Sequence, residues 1–159
     1  ETSPERGFSR TQIAGVLSLR NSNDYFNKSQ LDRIAGGGTW ISVQESQNAP
    51  IKCRHQLSTD TSSIVRQEFS ITRVLDYTAR YLREGLDRQV GNFNITRSYL
   101  DGLGTTVQGL LRSLVESSKL TSASLVSLEQ DSVRPDKINV VVAVGVPFPA
   151  NLIEIRVQV

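Results

Sequence analysis

Cys53 and His55 are the residues whose types could support nucleophilic catalysis. They stand two positions apart in a run that alternates apolar and polar residues, so their side chains share one face of a predicted strand. A cysteine thiolate beside a histidine base is an established nucleophile arrangement. However, Ile51 and Leu57 flank them on the same face, and no Gly-x-Ser-x-Gly turn accompanies them. We therefore favour a packed face with a buried thiol and a hydrogen-bonded histidine.

A run of three glycines, Gly36-Gly37-Gly38, invites comparison with phosphate-binding loops. A Walker loop needs a following Gly-Lys-Ser/Thr, and a dinucleotide fingerprint lies between a strand and a helix. Here the glycines follow a predicted helix and precede a predicted strand, which is the reverse order. We interpret the run as a helix stop followed by a tight turn.

Three carboxylates near one predicted turn, Glu129, Asp131 and Asp136, suggest a calcium site as one hypothesis. Calcium loops use a longer series of oxygen ligands at alternate positions. A solvated turn is therefore the favoured interpretation.

Two further patterns have structural explanations. Asn94 begins an Asn-x-Thr glycosylation acceptor, but the chain shows no secretion signal, so we interpret Asn94 as a helix cap. The arginines of the first long helix alternate with acidic residues, which favours a solvated or subunit-facing surface over a phosphate site. The sequence thus predicts no catalytic residue, no cofactor site and no metal site.

The composition supports this view. The 159 residues fit one domain, and the net charge of +2 argues against an electrostatically driven nucleic-acid binder. One cysteine and one histidine exclude an internal disulfide and a multi-histidine metal site. No apolar run approaches the roughly 18 residues of a spanning helix. Because the chain starts at Glu1 and has no methionine, we expect it to be a fragment of a larger protein.

The first half of the sequence predicts short elements. A strand is expected at 13–19, and a helix capped by Asn27 or Ser29 is expected to run to Ala35. Two adjacent strands are expected at 39–43 and 51–57.

Two long helices are predicted next. The first follows an apolar stripe from Ile71 to Val90, and the second runs from Ile95 to about Lys119. The short turn between them predicts an antiparallel hairpin with Leu82 and Leu110 in its core. Glycines interrupt the second helix, and close approach of a neighbouring backbone is one explanation: Gly102, Gly104 and Gly109.

The last part of the sequence predicts strands. One is expected at 120–128, and a valine-rich strand at 138–146 is expected to be buried on both faces. Pro147 and Pro149 then interrupt the pattern. The fold class is therefore α+β, with a two-helix layer packed on a mixed β-sheet. We divide the chain into a linker at 1–12, a core domain at 13–150 and a terminal arm at 151–159.

The terminal arm alternates strictly between apolar and polar side chains. A strand at a chain terminus needs a pairing partner, and strand addition to a neighbouring subunit would supply one. The predicted interface residues are the apolar ones: Leu152, Ile153, Ile155, Val157 and Val159. The alternative is pairing within the chain, beside the valine-rich strand.

The order of several segments carries a family resemblance. The segments are residues 25–41, 54–60, 69–77, 91–94 and 136–159. In this order they resemble the C-terminal core domain of contractile tail sheath proteins from bacteriophages and related contractile injection particles. The likeness extends over nearly the whole chain from about residue 8.

The resemblance implies a structural function. It implies a subunit that assembles with itself as a helical tube around an inner tail tube protein, next to a baseplate, and contracts to drive the tube through a target envelope. It implies a virion tail component assembled in the bacterial cytoplasm, without nucleic-acid or membrane binding by this domain. One alternative is a baseplate or tail-end adaptor that shares the sheath core. A small enzyme using Cys53 and His55 is the other.

Overall fold

The structure is a computed structural model that describes residues 3–4, 6–16, 26–46, 49–151 and 153–158. It has two compact units, Glu1–Thr72 and Arg73–Val159, and their boundary falls within one helix. The predicted domain limits at residues 12 and 150 remain a prediction.

The first unit is built around a small antiparallel sheet. Strands β1 (Ser42–Val43) and β2 (Lys52–Cys53) pair with Ser42 opposite Cys53, as the prediction of two adjacent strands requires. Both are shorter than predicted, with two residues each. A segment at 10–13 also bonds to β2, because Cys53 accepts a backbone hydrogen bond from Arg10 at 2.6 Å and donates one to Thr11 at 3.0 Å.

Two details of the predicted strands are wrong. Residues 13–16 form no strand but contain a turn, while 17–19 lie outside the described residues. The alternation also fails at Gln56, which was expected on a polar face and is only 1% exposed. The cause is a hydrogen bond, since the Gln56 Oε1 atom accepts from the Phe8 backbone N–H at 2.6 Å.

Helix α1 (Lys28–Gly36) matches the prediction closely. The Asn27 side chain caps it by accepting from the Gln30 backbone N–H. The Gln30 side chain in turn accepts from the Asn27 backbone N–H, which completes a capping box. The glycine run ends the helix as expected. Gly38 has a φ of +76°, a conformation that glycine adopts readily.

Helix α3 (Phe69–Leu86) follows the short helix α2 (Ile64–Gln67). It ends four residues before the predicted limit, in a 3₁₀ turn at Asp87–Gln89, and Val90 is 76% exposed. Helix α4 (Arg97–Glu116) begins after Thr96, whose hydroxyl accepts from the Tyr99 N–H. The predicted cap at Asn94 is therefore wrong by two residues.

Helices α3 and α4 form the predicted antiparallel hairpin. Tyr81 of α3 bonds to Ser113, and Gln89, in the 3₁₀ turn that follows α3, bonds to Thr106, which is earlier in α4. The two helices approach each other closely at Gly85, which was not among the glycines expected to allow close packing. A Cβ on Gly85 would stand 2.6 Å from a Leu110 methyl carbon, whereas Gly102 and Gly109 have open space.

The core of the second unit contains Val74, Leu114 and Leu120. Leu82 and Leu110 were expected in it and are only partly buried. The stripe from which they were predicted is wider than the buried face, so its margins stay near solvent.

Strands β3 (Ser122–Gln130) and β4 (Ile138–Gly145) form an antiparallel hairpin. The α+β class is confirmed, although both sheets in the described residues are two-stranded and antiparallel rather than mixed. A bulge at Val126 shifts the register, so that Leu128 faces inward again. The valine-rich β4 is shielded on one face only, contrary to the prediction, because Val141 lies on an exposed outer face.

Candidate assembly surface

The C-terminal segment does not pair with the rest of the described chain. Residues 153–158 form no strand and make no backbone hydrogen bond to another described residue. Its apolar side chains are almost fully exposed: Ile153 78%, Ile155 81% and Val157 83%. Leu152 and Val159, the other two predicted interface residues, lie outside the described residues. Five interface residues were predicted, and the three that can be placed are all available for contact.

The polar side of this segment supports an extended backbone. The Arg156 Nε atom lies 2.9 Å from the Glu154 Oε1 atom. Residues two positions apart share a face in extended chain, so this pair lies on the face opposite Ile153 and Ile155. The segment thus has the pattern of a strand without a neighbouring strand.

The β3–β4 hairpin offers the complementary feature. It is two-stranded among the described residues, so the outer edge of each strand carries backbone donors and acceptors that the hairpin itself does not pair. Helix α4 packs against β3, and Val144 of β4 packs against the core formed by Val74, Leu114 and Leu120. The inner face of the hairpin is therefore covered by helices, and its strand edges are the features left for a neighbouring strand.

A groove lies between α3 and β4. It has a volume of about 690 Å³ and is lined mainly by apolar side chains. Strand β4 contributes Val140, Val142 and Val144, and α3 contributes Leu75 and Leu82 among others. An apolar strand added beside β4 would lie next to this groove and could place alternate side chains in it.

Cys53 and His55 each have their own contacts within the first unit. Cys53 is buried, and burial raises the pKa of its thiol, although hydrogen bonds from the Trp40 side chain and the His55 backbone act in the opposite direction. The His55 Nε2 atom lies 2.9 Å from the Glu68 Oε1 atom, and Glu68 is itself buried. The packed arrangement that we favoured for these two residues agrees with these contacts.

The remaining sequence candidates have structural partners. Asp131 accepts hydrogen bonds from the backbone N–H groups of Val133 and Arg134, and it also contacts Lys137 and Asn139. These bonds hold the pKa of its carboxyl below the usual range, with the Arg134 N–H as the largest cause. Asp136 pairs with Arg134. The turn is thus held by protein donors.

The described residues contain no cluster of three or more His, Cys, Asp or Glu side chains arranged to hold a metal ion. In the same part of the chain, every helix is too short or too polar to cross a membrane.

Sequence reasoning missed two features of these sites. The burial of Glu68 and its contact with His55 are not visible in the sequence, because a lone carboxylate at the start of a helix normally indicates a solvated first turn. The α3–β4 groove is created by tertiary packing of two elements more than 50 residues apart, and neither element alone signals it.

Comparison with solved structures gives a fold likeness. A chain of the anti-feeding prophage (AFP) baseplate, determined by cryo-electron microscopy with six-fold symmetrisation, superposes with a TM-score of 0.72 at 16% sequence identity. The match covers 98% of this chain and 45% of that chain, so this chain spans less than half of its neighbour's length. No protein-family model matches the sequence, and no curated protein matches it. The likeness therefore establishes a shared fold.

Proposed function

We propose that this chain is the core domain of a structural subunit in a contractile injection particle, located at the baseplate end. The observation that carries the proposal is the match of almost the whole chain, 98%, to a baseplate chain with a TM-score of 0.72. The open edges of the β3–β4 hairpin and the unpaired terminal segment support an assembly function, because both leave hydrogen-bonding groups for a neighbouring subunit.

The partners proposed on this basis are structural proteins. They are other copies of this chain, further baseplate subunits and the inner tail tube protein. The proposed location is the particle's tail, assembled in the bacterial cytoplasm.

A tail sheath subunit is the second candidate. It is favoured by the resemblance in segment order and by the terminal segment, whose exposed Ile153, Ile155 and Val157 suit a strand that joins neighbouring copies. The two candidates differ in copy number. A six-fold baseplate needs a small multiple of six copies, whereas a sheath consists of many stacked rings.

Quantitative mass spectrometry of purified particles separates these candidates. The amount of this protein is measured against the inner tube protein with isotope-labelled peptide standards. The proposal predicts a low ratio that falls further in longer tails, because the number of tube subunits rises with tail length while the number of baseplate copies stays fixed. A ratio near one copy per tube subunit would instead identify a sheath protein, and absence from the particles would refute both candidates.

We further propose that residues 153–158 add as a strand beside β4 of a neighbouring copy, with their apolar side chains directed to the α3–β4 groove. Burying Ile153, Ile155 and Val157 would contribute about 4–9 kcal/mol before ordering costs. As a binding free energy, that range corresponds to dissociation constants from about millimolar to submicromolar before the costs of association.

A pair of matched variants tests this contact. Ile155→Lys and Gln158→Lys each add one positive charge to the segment, but on opposite faces. We expect Ile155→Lys to abolish self-association in sedimentation velocity and Gln158→Lys to preserve it. Equal behaviour of the two variants would refute strand addition through the apolar face.

A further inference from the structure

A polar cavity in the first unit lies apart from the terminal segment and its groove. It has a volume of about 540 Å³ and is bounded by the β1–β2 strands, by α1 and by Arg10. This volume falls within the range of small-ligand sites in proteins. The cavity was not anticipated from the sequence.

The charges around the cavity are incompletely balanced. Arg54 pairs with Asp32, and Lys52 lies 3.8 Å from Glu45. Arg10 also lines the cavity, but it makes no ion pair with any carboxylate in the described part of the chain. Among the described lining residues, the Arg10 guanidinium group is therefore the uncompensated charge.

The backbone of Arg10 is unusual. Its φ is +61°, in the left-handed region that residues with a Cβ seldom adopt. Two backbone hydrogen bonds hold it there: the Arg10 N–H donates to Cys53 at 2.6 Å, and the next residue, Thr11, accepts from Cys53 at 3.0 Å. Strained residues of this kind concentrate at binding sites, where the surrounding structure maintains them.

We propose that this cavity binds a carboxylate group, with Arg10 as the residue that recognises it. A guanidinium fork matches a carboxylate with two parallel hydrogen bonds. The ligand is a carboxylate presented by an acidic peptide segment or by a small dicarboxylate. This inference is independent of the proposed particle function.

The test uses defined probes and the whole chain at low ionic strength, because exposed charges are screened by salt. Binding of an acetylated and amidated tri-glutamate peptide is compared with that of the tri-glutamine peptide, succinate and inorganic phosphate by NMR titration. We expect the native chain to bind tri-glutamate and not tri-glutamine. Failure to distinguish the two peptides, or tighter binding of phosphate than of any carboxylate, would overturn the proposal.

Three variants locate the site. Arg10→Gln is expected to weaken tri-glutamate binding at least tenfold, whereas Arg33→Gln, an equal charge change on α1 outside the cavity, leaves it unchanged. Arg10→Gly is expected to lose binding while melting at the same or a higher temperature, because glycine relieves the left-handed strain. Equal affinities of Arg10→Gln and Arg33→Gln would overturn the assignment.

Succinate binding with the same dependence on Arg10 would identify a small dicarboxylate as the ligand source, and binding of the peptide alone would identify a protein partner.

Discussion

Gly38 should be the least replaceable residue of the glycine run. Its φ of +76° disfavours a side chain, and an added Cβ would stand 2.4 Å from the Ser58 carbonyl oxygen and 2.9 Å from the Thr59 Cα. Both neighbours are backbone atoms, which cannot move aside as a flexible side chain can. The left-handed conformation costs a residue with a Cβ about 1–2 kcal/mol. Overpacking adds about 1–3 kcal/mol. We therefore expect Gly38→Ala to reduce the free energy of unfolding by about 2–5 kcal/mol in total.

Two controls in the same unit separate these contributions. Gly15 has a φ of +84° with nothing within 4 Å of an added Cβ, so Gly15→Ala should show the conformational cost alone. Gly36 is helical and also has open space, so Gly36→Ala should be neutral or stabilising by up to about 1 kcal/mol.

Urea denaturation followed by fluorescence measures all three Gly→Ala variants. Trp40 is the single tryptophan of the chain and lies in the first unit, so its emission reports on the unit that contains these glycines. From most to least stable, the predicted order is Gly36→Ala, then Gly15→Ala, then Gly38→Ala. If Gly38→Ala were no less stable than Gly15→Ala, the close approach of residues 38 and 58 would be refuted.

The remaining predictions concern the cap, core, turn and thiol. Thr96→Ala should lower the stability of the second unit by about 1 kcal/mol in urea denaturation followed by circular dichroism, while Asn94→Ala should not. Leu114→Ala should cost about 2–5 kcal/mol in the same assay, since Leu114 is only 1% exposed. The depressed pKa of Asp131 stabilises the fold above the unfolded-state pKa, and this contribution is lost as pH falls through the folded-state pKa. Asp131→Asn should therefore lower the melting temperature at pH 7 and flatten its decline between pH 5 and pH 2. Cys53 should react slowly with a thiol reagent until the chain unfolds, and rapid native-state labelling would contradict its burial.

Periodicity predicted the larger elements well. The apolar stripes of α3 and α4 identified both helices and their hairpin, because burial of one helix face leaves a repeat of 3.6 residues in the sequence. The Asn27 cap was visible as a local side-chain pattern. Helix ends were less predictable: Val90 continues the stripe yet is exposed, because the chain enters a 3₁₀ turn at Asp87.

Tertiary contacts limited the rest of the prediction. Gln56 is buried because Phe8, 48 residues away, supplies a hydrogen bond that the alternating pattern cannot reveal. A dense valine run predicted a strand buried on both faces, but only one face of β4 is shielded.

The candidate sites were predictable to different degrees. The apolar stripe of residues 153–158 was visible in sequence, since strict alternation survives without any partner. The α3–β4 groove was not, since it depends on how two distant elements pack. The left-handed φ of Arg10 has no counterpart in the sequence at all.

The most direct test of the proposed function is the position of this protein on its particle. Antibody fragments raised against this chain are bound to particles purified from the source organism and imaged by negative-stain electron microscopy. The proposal predicts label confined to the baseplate end of the tail. Label along the full tail length, or particles that carry none, would contradict it.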